Sequence, residues 1–316
     1  TCATADAGAM AAASPTTNAT LPASLLAAAR AHPNKPFVQV WDGKDVIETT
    51  TYADLAAAMC AAAQFLSSEC SLKIGGRVAL LAHNSVAYLA VSLGTMSIGG
   101  VAVNLNWRQP AATTLQLLAG LRPAMLFASV PFEEDAREHS RVVGCPLGLL
   151  TNSHAPPYHH LLPADFLSAE RTMASIMSCR GDSSAAVFFT GGTTGTPKAV
   201  PHTHASLLWL SEMILRWYPE PFGPQAGDAA ATLCFTPYFH VMGFVANFAF
   251  NLQARCRTFV LADVEARLSP RLMLDACATL RPTVINTVPW IVEGLVALVR
   301  EGALASSGEE GKAVLS

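Results

Sequence analysis

Phe188-Phe189-Thr190-Gly191-Gly192-Thr193-Thr194-Gly195-Thr196-Pro197-Lys198-Ala199-Val200 is the stretch around which the rest of the chain is read. Two apolar residues close a strand, and a hydroxyl-rich glycine loop follows, ending in Pro197 and Lys198. Glycine tolerates positive φ and lets the backbone approach a ligand closely. Successive amides in such a loop form a concavity that suits an anion. Thr190, Thr193, Thr194 and Thr196 add hydroxyls, and Lys198 adds one fixed positive charge. The pattern reads as a cradle for a polyphosphate. A surface turn draws on the same Gly, Thr and Pro, but it does not require four threonines and a lysine in this order. Nor is this the common P-loop, which needs Gly-Lys-Ser/Thr. Pro197 precedes Lys198 and Ala199 follows it, so the lysine does not open a helix in the usual way.

Outward from this loop, short apolar runs alternate with helical patterns. Strands are expected at 37–41, 45–51, 77–81, 101–105, 123–128, 185–189, 230–235, 257–261 and 283–286. Helices are expected at about 51–68, 85–97, 110–121, 132–139, 206–217, 243–253, 270–280 and 289–300. Thr51 with Asp54 three residues on comes close to a capping box. Residues 151–182, with His154, His159 and His160, read as a connection with the histidines exposed. Strands alternating with helices argue for parallel βαβ units, and strands without polar alternation for sheets covered on both faces.

Composition narrows the function. The 316 residues are 51% hydrophobic and only 14% charged, with net charge −3. No basic run is present, so nothing points to nucleic acid. The eight cysteines form no CxxC pair and no short Cys/His cluster, which argues against zinc; mostly buried, reduced thiols fit a cytoplasmic protein. Two stretches lack charge, 78–107 and 229–254, but turn residues interrupt both, so they read as buried α/β core rather than transmembrane segments. Residues 1–20 lack a basic n-region and read as a disordered leader rather than a secretory signal. A first α/β subdomain with its connection is expected over 21–182, and a second, carrying the loop, over 183–316.

A second loop, Thr236-Pro237-Tyr238-Phe239-His240-Val241-Met242-Gly243, also follows a strand. Ligands gather outside the carboxyl ends of strands in open parallel sheets. If the two strands lie close together, the cradle and His240 share one cleft. By residue type alone His240 serves equally as a core histidine.

Together the two loops resemble the signatures of the adenylate-forming (AMP-binding) superfamily, which includes acyl-CoA synthetases and adenylation domains. The first matches Ser/Thr-Gly-Ser/Thr-Thr-Gly-x-Pro-Lys-Gly over Thr190–Lys198, with Ala199 in place of the last glycine. The second matches Pro-Leu-Phe-His-x-x-Gly over Pro237–Gly243. Segments 76–80 and 104–108 are similar to its upstream core, so the resemblance covers about 21–316. The implied fold is α/β, layered parallel-rich sheets with flanking helices, as an incomplete large N-terminal domain. The implied chemistry is ATP-dependent activation of a small-molecule carboxylic acid, such as a fatty or aryl acid, to an acyl-adenylate. Coenzyme A or a carrier-protein thiol then takes the acyl group.

The resemblance assigns Thr190, Gly191, Gly192, Thr193, Thr194, Gly195, Thr196 and Lys198 to the phosphates of ATP, with Thr194 nearest Mg²⁺. His240 and Lys198 are the catalytic candidates, and His240, Met242 and Gly243 the acid pocket. The family's downstream adenine, ribose and metal contacts and its small C-terminal domain with a catalytic lysine do not occur in this sequence. The chain is therefore expected to be inactive by itself. Two other readings stay open: the adenylation module of a larger synthase or carboxylate reductase, and a non-catalytic phosphate-binding protein.

Overall fold

The computed structural model describes residues 19–150, 157–191, 197–217, 230–262 and 269–300. Its first element, α1 (Leu21–Ala31), is capped by the Thr20 hydroxyl, and a hairpin of β1 (Pro36–Trp41) and β2 (Val46–Thr51) follows. Thr51 then caps α2 (Tyr52–Gln64). Its hydroxyl accepts from the Asp54 N–H at 3.2 Å, and the Asp54 carboxylate accepts from the Thr51 N–H at 3.0 Å. The box is complete, and two amides that a helix start leaves orphaned are satisfied.

Three strand–helix steps come next: β3 (Arg77–Leu81) with α3 (Val86–Ser97), β4 (Val101–Asn104) with α4 (Ala111–Leu121), and β5 (Met125–Ser129) with α5 (Glu133–Val143). They are followed by β6 (Leu147–Leu150), α6 (Phe166–Ile176), the hairpin of β7 (Ser184–Thr190) and β8 (Lys198–Thr203), and α7 (His204–Trp217). After β9 (Ala231–Cys234), α8 (Val241–Phe244), a π turn at Val245–Ala249 and α9 (Phe250–Ala254) form one helical rod. The described residues finish with β10 (Arg257–Leu261), α10 (Pro270–Leu280), β11 (Val284–Asn286) and α11 (Pro289–Arg300).

The strands form two sheets, in the orders β11-β9-β10-β1-β2 and β6-β5-β3-β4-β7-β8. Pairing is parallel except within the two hairpins, β1–β2 and β7–β8. Strand membership does not follow the expected division at residue 182. β1 and β2 join the late strands, and β7 and β8 join the early ones, because Val38 pairs with Thr258 and Ala102 with Ala186.

Alternation along single strands sets the layers. In β3, Val78 and Leu80 enter one apolar cluster while Ala79 and Leu81 enter another. In β10, Val260 enters the first of these clusters, and Phe259 and Leu261 enter a third. Side chains on a strand point to opposite faces in turn, so each sheet is covered on both sides. The first cluster is shared by both sheets and holds α1, α2, α3 and much of the rod. α4 and α5 cover the outer face of one sheet, and α10 and α11 that of the other.

The alanine content has its use in the middle layer. Gly94 of α3 lies against α2 so closely that a Cβ there would stand 2.8 Å from the Ala62 Cβ and 2.9 Å from the Met59 carbonyl oxygen. The charge-free stretch 78–107 is β3, α3 and β4, and 229–254 contains β9 and the rod, all core elements. Among the described residues no helix is long and apolar enough to cross a membrane.

Three elements depart from the sequence expectation. α6 falls in the supposed connection, capped by Asp165, whose carboxylate accepts from the Ser168 N–H at 2.7 Å. It buries only Ala169 and Met173, too few apolar residues for a clear period. β6 is four residues with a glycine inside, and Gly148 sits where a Cβ would meet the Phe127 ring at 2.6 Å. β8 contains Pro201, which demotes a strand reading but is tolerated because β8 is an edge strand. His159 and His160 are exposed, as expected; His154 lies outside the described residues.

Candidate functional site

Adjacent strands β3 and β4 send their following helices to opposite faces, α3 inward and α4 outward. The crevice at such a switch point, outside the carboxyl ends, is where open α/β sheets bind ligands. Asn84 follows β3, and Asn104 and Asn106 close and follow β4.

The β7–β8 hairpin borders this crevice. Thr190 and Lys198 are the last register pair at its neck, followed inward by Phe188 with Val200 and Ala186 with His202. Lys198 thus opens a strand, and the candidate cradle is the hairpin connection. Thr190, Gly191 and Lys198 are exposed. Gly192, Thr193, Thr194, Gly195 and Thr196, and with them the expected contact near Mg²⁺, lie outside the described residues.

The second loop comes from β9 in the other sheet, so the two strands are not neighbours, yet their loops converge. A cleft of about 490 Å³ has Thr190, Gly191 and Pro197 on one side and Phe239, His240 and Val241 on the other. Asn104, Asn106 and Gln109 from the β4 side, with Phe188, Phe189, Val200 and His202, complete its walls.

His240 is exposed and caps α8; its Nδ1 accepts from the Met242 N–H at 3.2 Å. A neutral ring held in that way carries its proton on Nε2. Met242 is half-buried and Gly243 fully buried, and neither lines the cleft; Val241 does. Gly243 meets a packing demand of its own. A Cβ at Gly243 would lie 2.0 Å from the Pro237 carbonyl oxygen, so the glycine lets the rod start directly above the turn.

Several residues of the cleft were not singled out from sequence. Asn104 is 1% exposed; its carbonyl accepts from the Tyr88 hydroxyl at 2.5 Å, and its NH₂ donates to the Val187 carbonyl at 3.2 Å. It braces β4 against α3 and β7. Asn106 accepts from the Arg108 N–H at 2.9 Å, a local turn. His202 packs edge-on to Phe188 at 5.6 Å, and burial lowers its imidazole below the ordinary histidine range. Polar residues at and just past the end of the apolar strand β4 were the signal available for Asn104 and Asn106.

The donor set defines the chemistry. Hydroxyl, imidazole and amide groups gather at the cleft, with an ammonium at the hairpin neck, and no carboxylate occurs among its described lining residues. That set fits the phosphates of a nucleotide. It does not fit a bare Mg²⁺, which seeks carboxylate oxygens together with phosphates.

Comparison with known proteins places the chain in a family. The profile of the AMP-binding enzyme family matches residues 25–313, and the chain belongs to that family. It is 28% identical to a carboxylic acid reductase of Mycobacterium marinum over 77% of this chain and 22% of that protein. It is 29% identical to 4-coumarate-CoA ligase 2 of Narcissus pseudonarcissus over 80% of this chain and 47% of that protein. The chain thus spans about half the length, or less, of these curated relatives. Among solved structures, apo MatB of Rhodopseudomonas palustris superposes with a TM-score of 0.66 at 22% identity, covering 87% of this chain and 50% of MatB. VinN superposes with a TM-score of 0.69 at 17% identity, covering 90% of this chain and 65% of VinN. These likenesses show the shared fold. A further structure of MatB is ATP-bound.

Proposed function

We propose that this chain carries the pyrophosphate-side half of a site that activates a carboxylic acid with ATP. The observation that carries this reading is the convergence of the Thr190–Lys198 hairpin and His240 on one cleft, although their strands lie in different sheets. In the reaction a carboxylate oxygen attacks the α-phosphorus, the bond to the bridging oxygen breaks, and pyrophosphate leaves an acyl-adenylate behind. Nucleophile and target are both anionic, so the barrier falls where fixed donors meet developing charge. The ammonium of Lys198 and the hydroxyls and amides of 190–196 take the departing phosphates. His240, with Nδ1 occupied by Met242, offers Nε2–H to an oxygen at the reacting centre. Thr194 is our candidate contact for Mg²⁺, which would enter with the nucleotide and would supply charge neutralisation at the phosphates.

Transfer of the acyl group to coenzyme A follows the pattern named in relatives such as 4-coumarate-CoA ligase 2. A second reading, an adenylation module within a larger protein, is favoured by the carboxylic acid reductase, of which the chain matches 22%. Cys60, Cys145, Cys234, Cys256 and Cys277 are buried free thiols, and burial pushes Cys60 up to about 11. Such inert, reduced thiols support our placement of the protein in the cytoplasm.

The test is calorimetric titration of this chain with ATP–Mg²⁺ and, separately, with pyrophosphate. Both bind if the reading holds, and absence of binding by either removes it. Carboxylate-dependent exchange of labelled pyrophosphate into ATP by a chimera of this chain with the downstream part of 4-coumarate-CoA ligase 2, across aryl, short-chain and long-chain acids, then identifies the acid.

A further inference from the structure

The turn that presents His240 is gripped from the opposite sheet. Asn84, in the connection after β3, is 8% exposed. Its side-chain NH₂ donates to the Thr236 carbonyl at 3.0 Å, and its side-chain carbonyl accepts from the Tyr238 N–H at 2.7 Å. Both ends of one amide are thereby spent on the backbone of a single turn. Asn247 holds the same turn from behind, donating to the Thr236 hydroxyl at 2.6 Å. Gly243 closes it from above, with no room for a Cβ under Pro237.

A buried asparagine that satisfies loop amides is ordinary packing. What sets Asn84 apart is where the gripped segment leads and what lies across from it. Two residues beyond Tyr238 stands His240, while the facing wall, Thr190 and Gly191, grows from the sheet that also carries Asn84. The grip is therefore a tie between the sheet that carries one wall of the cleft and the turn that leads into the other. Asn247, on the rod, belongs to the same side as His240 and cannot serve in that way.

We propose that Asn84 is a positioning residue that sets His240 against the phosphate hairpin. The purpose assigned to this tie rests on the adenylation reading; the tie itself does not.

The experiment reads histidine ring nitrogens by NMR in the full chain, with His240 assigned through His240→Gln. The variants are Asn84→Ala and Asn84→Asp; the second keeps the acceptor for Tyr238 but sets a carboxylate oxygen against the Thr236 carbonyl. In the unaltered chain His240 shows protonated Nε2 and acceptor Nδ1. In the variants this signature shifts toward a mixture of tautomers, while the His202 and His204 signals stay in place. Pyrophosphate affinity at the hairpin changes by less than about twofold, as expected for a site without shared partners. In a chimera of this chain with the downstream part of 4-coumarate-CoA ligase 2, the same variants lower carboxylate-dependent exchange by about tenfold or more in kcat, with KM for ATP nearly constant, since a misplacement of about 1 Å costs that much.

Unmoved His240 signals in folded Asn84→Asp overturn the proposal, as do equal shifts at every histidine. If Asn84→Ala does not fold, Asn84→Asp is read in its place. Amide exchange in the unaltered chain gives an independent check, because the Tyr238 N–H must be as protected as those inside β9, and rapid exchange there also overturns the proposal. Failure of ATP to bind the unaltered chain sinks the adenylation reading and leaves the His240 result standing.

Discussion

Thr190 and Lys198 are register partners across the neck of the β7–β8 hairpin. A threonine and a lysine thereby stand opposite each other where the glycine-rich connection leaves the sheet, and Thr190 lines the same cleft as His240.

Lys198→Ala should separate binding from folding. The side chain is exposed, so stability should change by no more than about 0.5 kcal/mol. Loss of one charged donor at a phosphate costs about 1.5–3 kcal/mol of binding, or roughly ten- to hundredfold. Calorimetric titration with ATP–Mg²⁺ beside a urea melt measures both, and unchanged affinity would falsify the role given to the hairpin.

Gly243→Ala tests the close approach over Pro237. A methyl 2.0 Å from a carbonyl oxygen cannot be accommodated without moving the start of the rod. Overpacking of this kind costs about 1–3 kcal/mol. Chemical denaturation is the measurement, and a neutral outcome means the rod shifts freely.

Two helical glycines should respond with opposite signs. Propensity alone favours alanine over glycine by about 1 kcal/mol in a helix interior. Gly120 in α4 has nothing within 4 Å of an added Cβ, so Gly120→Ala is expected to stabilise. Gly94 in α3 would meet Ala62 at 2.8 Å, and steric cost reverses the sign for Gly94→Ala. Equal melting shifts for the two variants would count against the α2–α3 packing.

Acid should weaken the fold through His204. Its Nδ1 accepts from the Leu21 N–H at 3.3 Å, the residue is fully buried, and burial pushes it down from 6.5 to about 4, partly offset by the Met96 carbonyl. Between those values the unfolded chain takes up a proton that the folded chain refuses. Stability is therefore complete above about pH 6.5 and is lost as pH falls toward 4, by about 3 kcal/mol. His139 and His202, also lowered by burial, act in the same direction. Urea denaturation across this window checks the slope, which His204→Asn should flatten.

Much of this was legible along the chain because the signals are local. The Thr51–Asp54 box, the βαβ rhythm and the order of hydroxyls around Lys198 depend on neighbours a few residues away. α6, β6 and β8 were missed for equally local reasons. α6 buries two residues, β6 holds a glycine under an aromatic ring, and β8 contains a proline that only an edge position permits.

The amino-acid sequence by itself determined that this is a layered α/β chain with a loop rich in glycine and threonine and a histidine-bearing loop, each after a strand. Only the tertiary structure decided which strands share a sheet, since pairings such as Val38 with Thr258 join segments whose local patterns carry no mark of each other. It also decided that the two loops meet. At that meeting Asn84 bonds Tyr238 across 154 residues of chain, and Gly243 leaves no room for a Cβ beside the Pro237 carbonyl. Periodicity records which face of a strand is buried; it does not record which distant segment buries it, because that choice is made by packing and by hydrogen bonds between residues far apart in the chain.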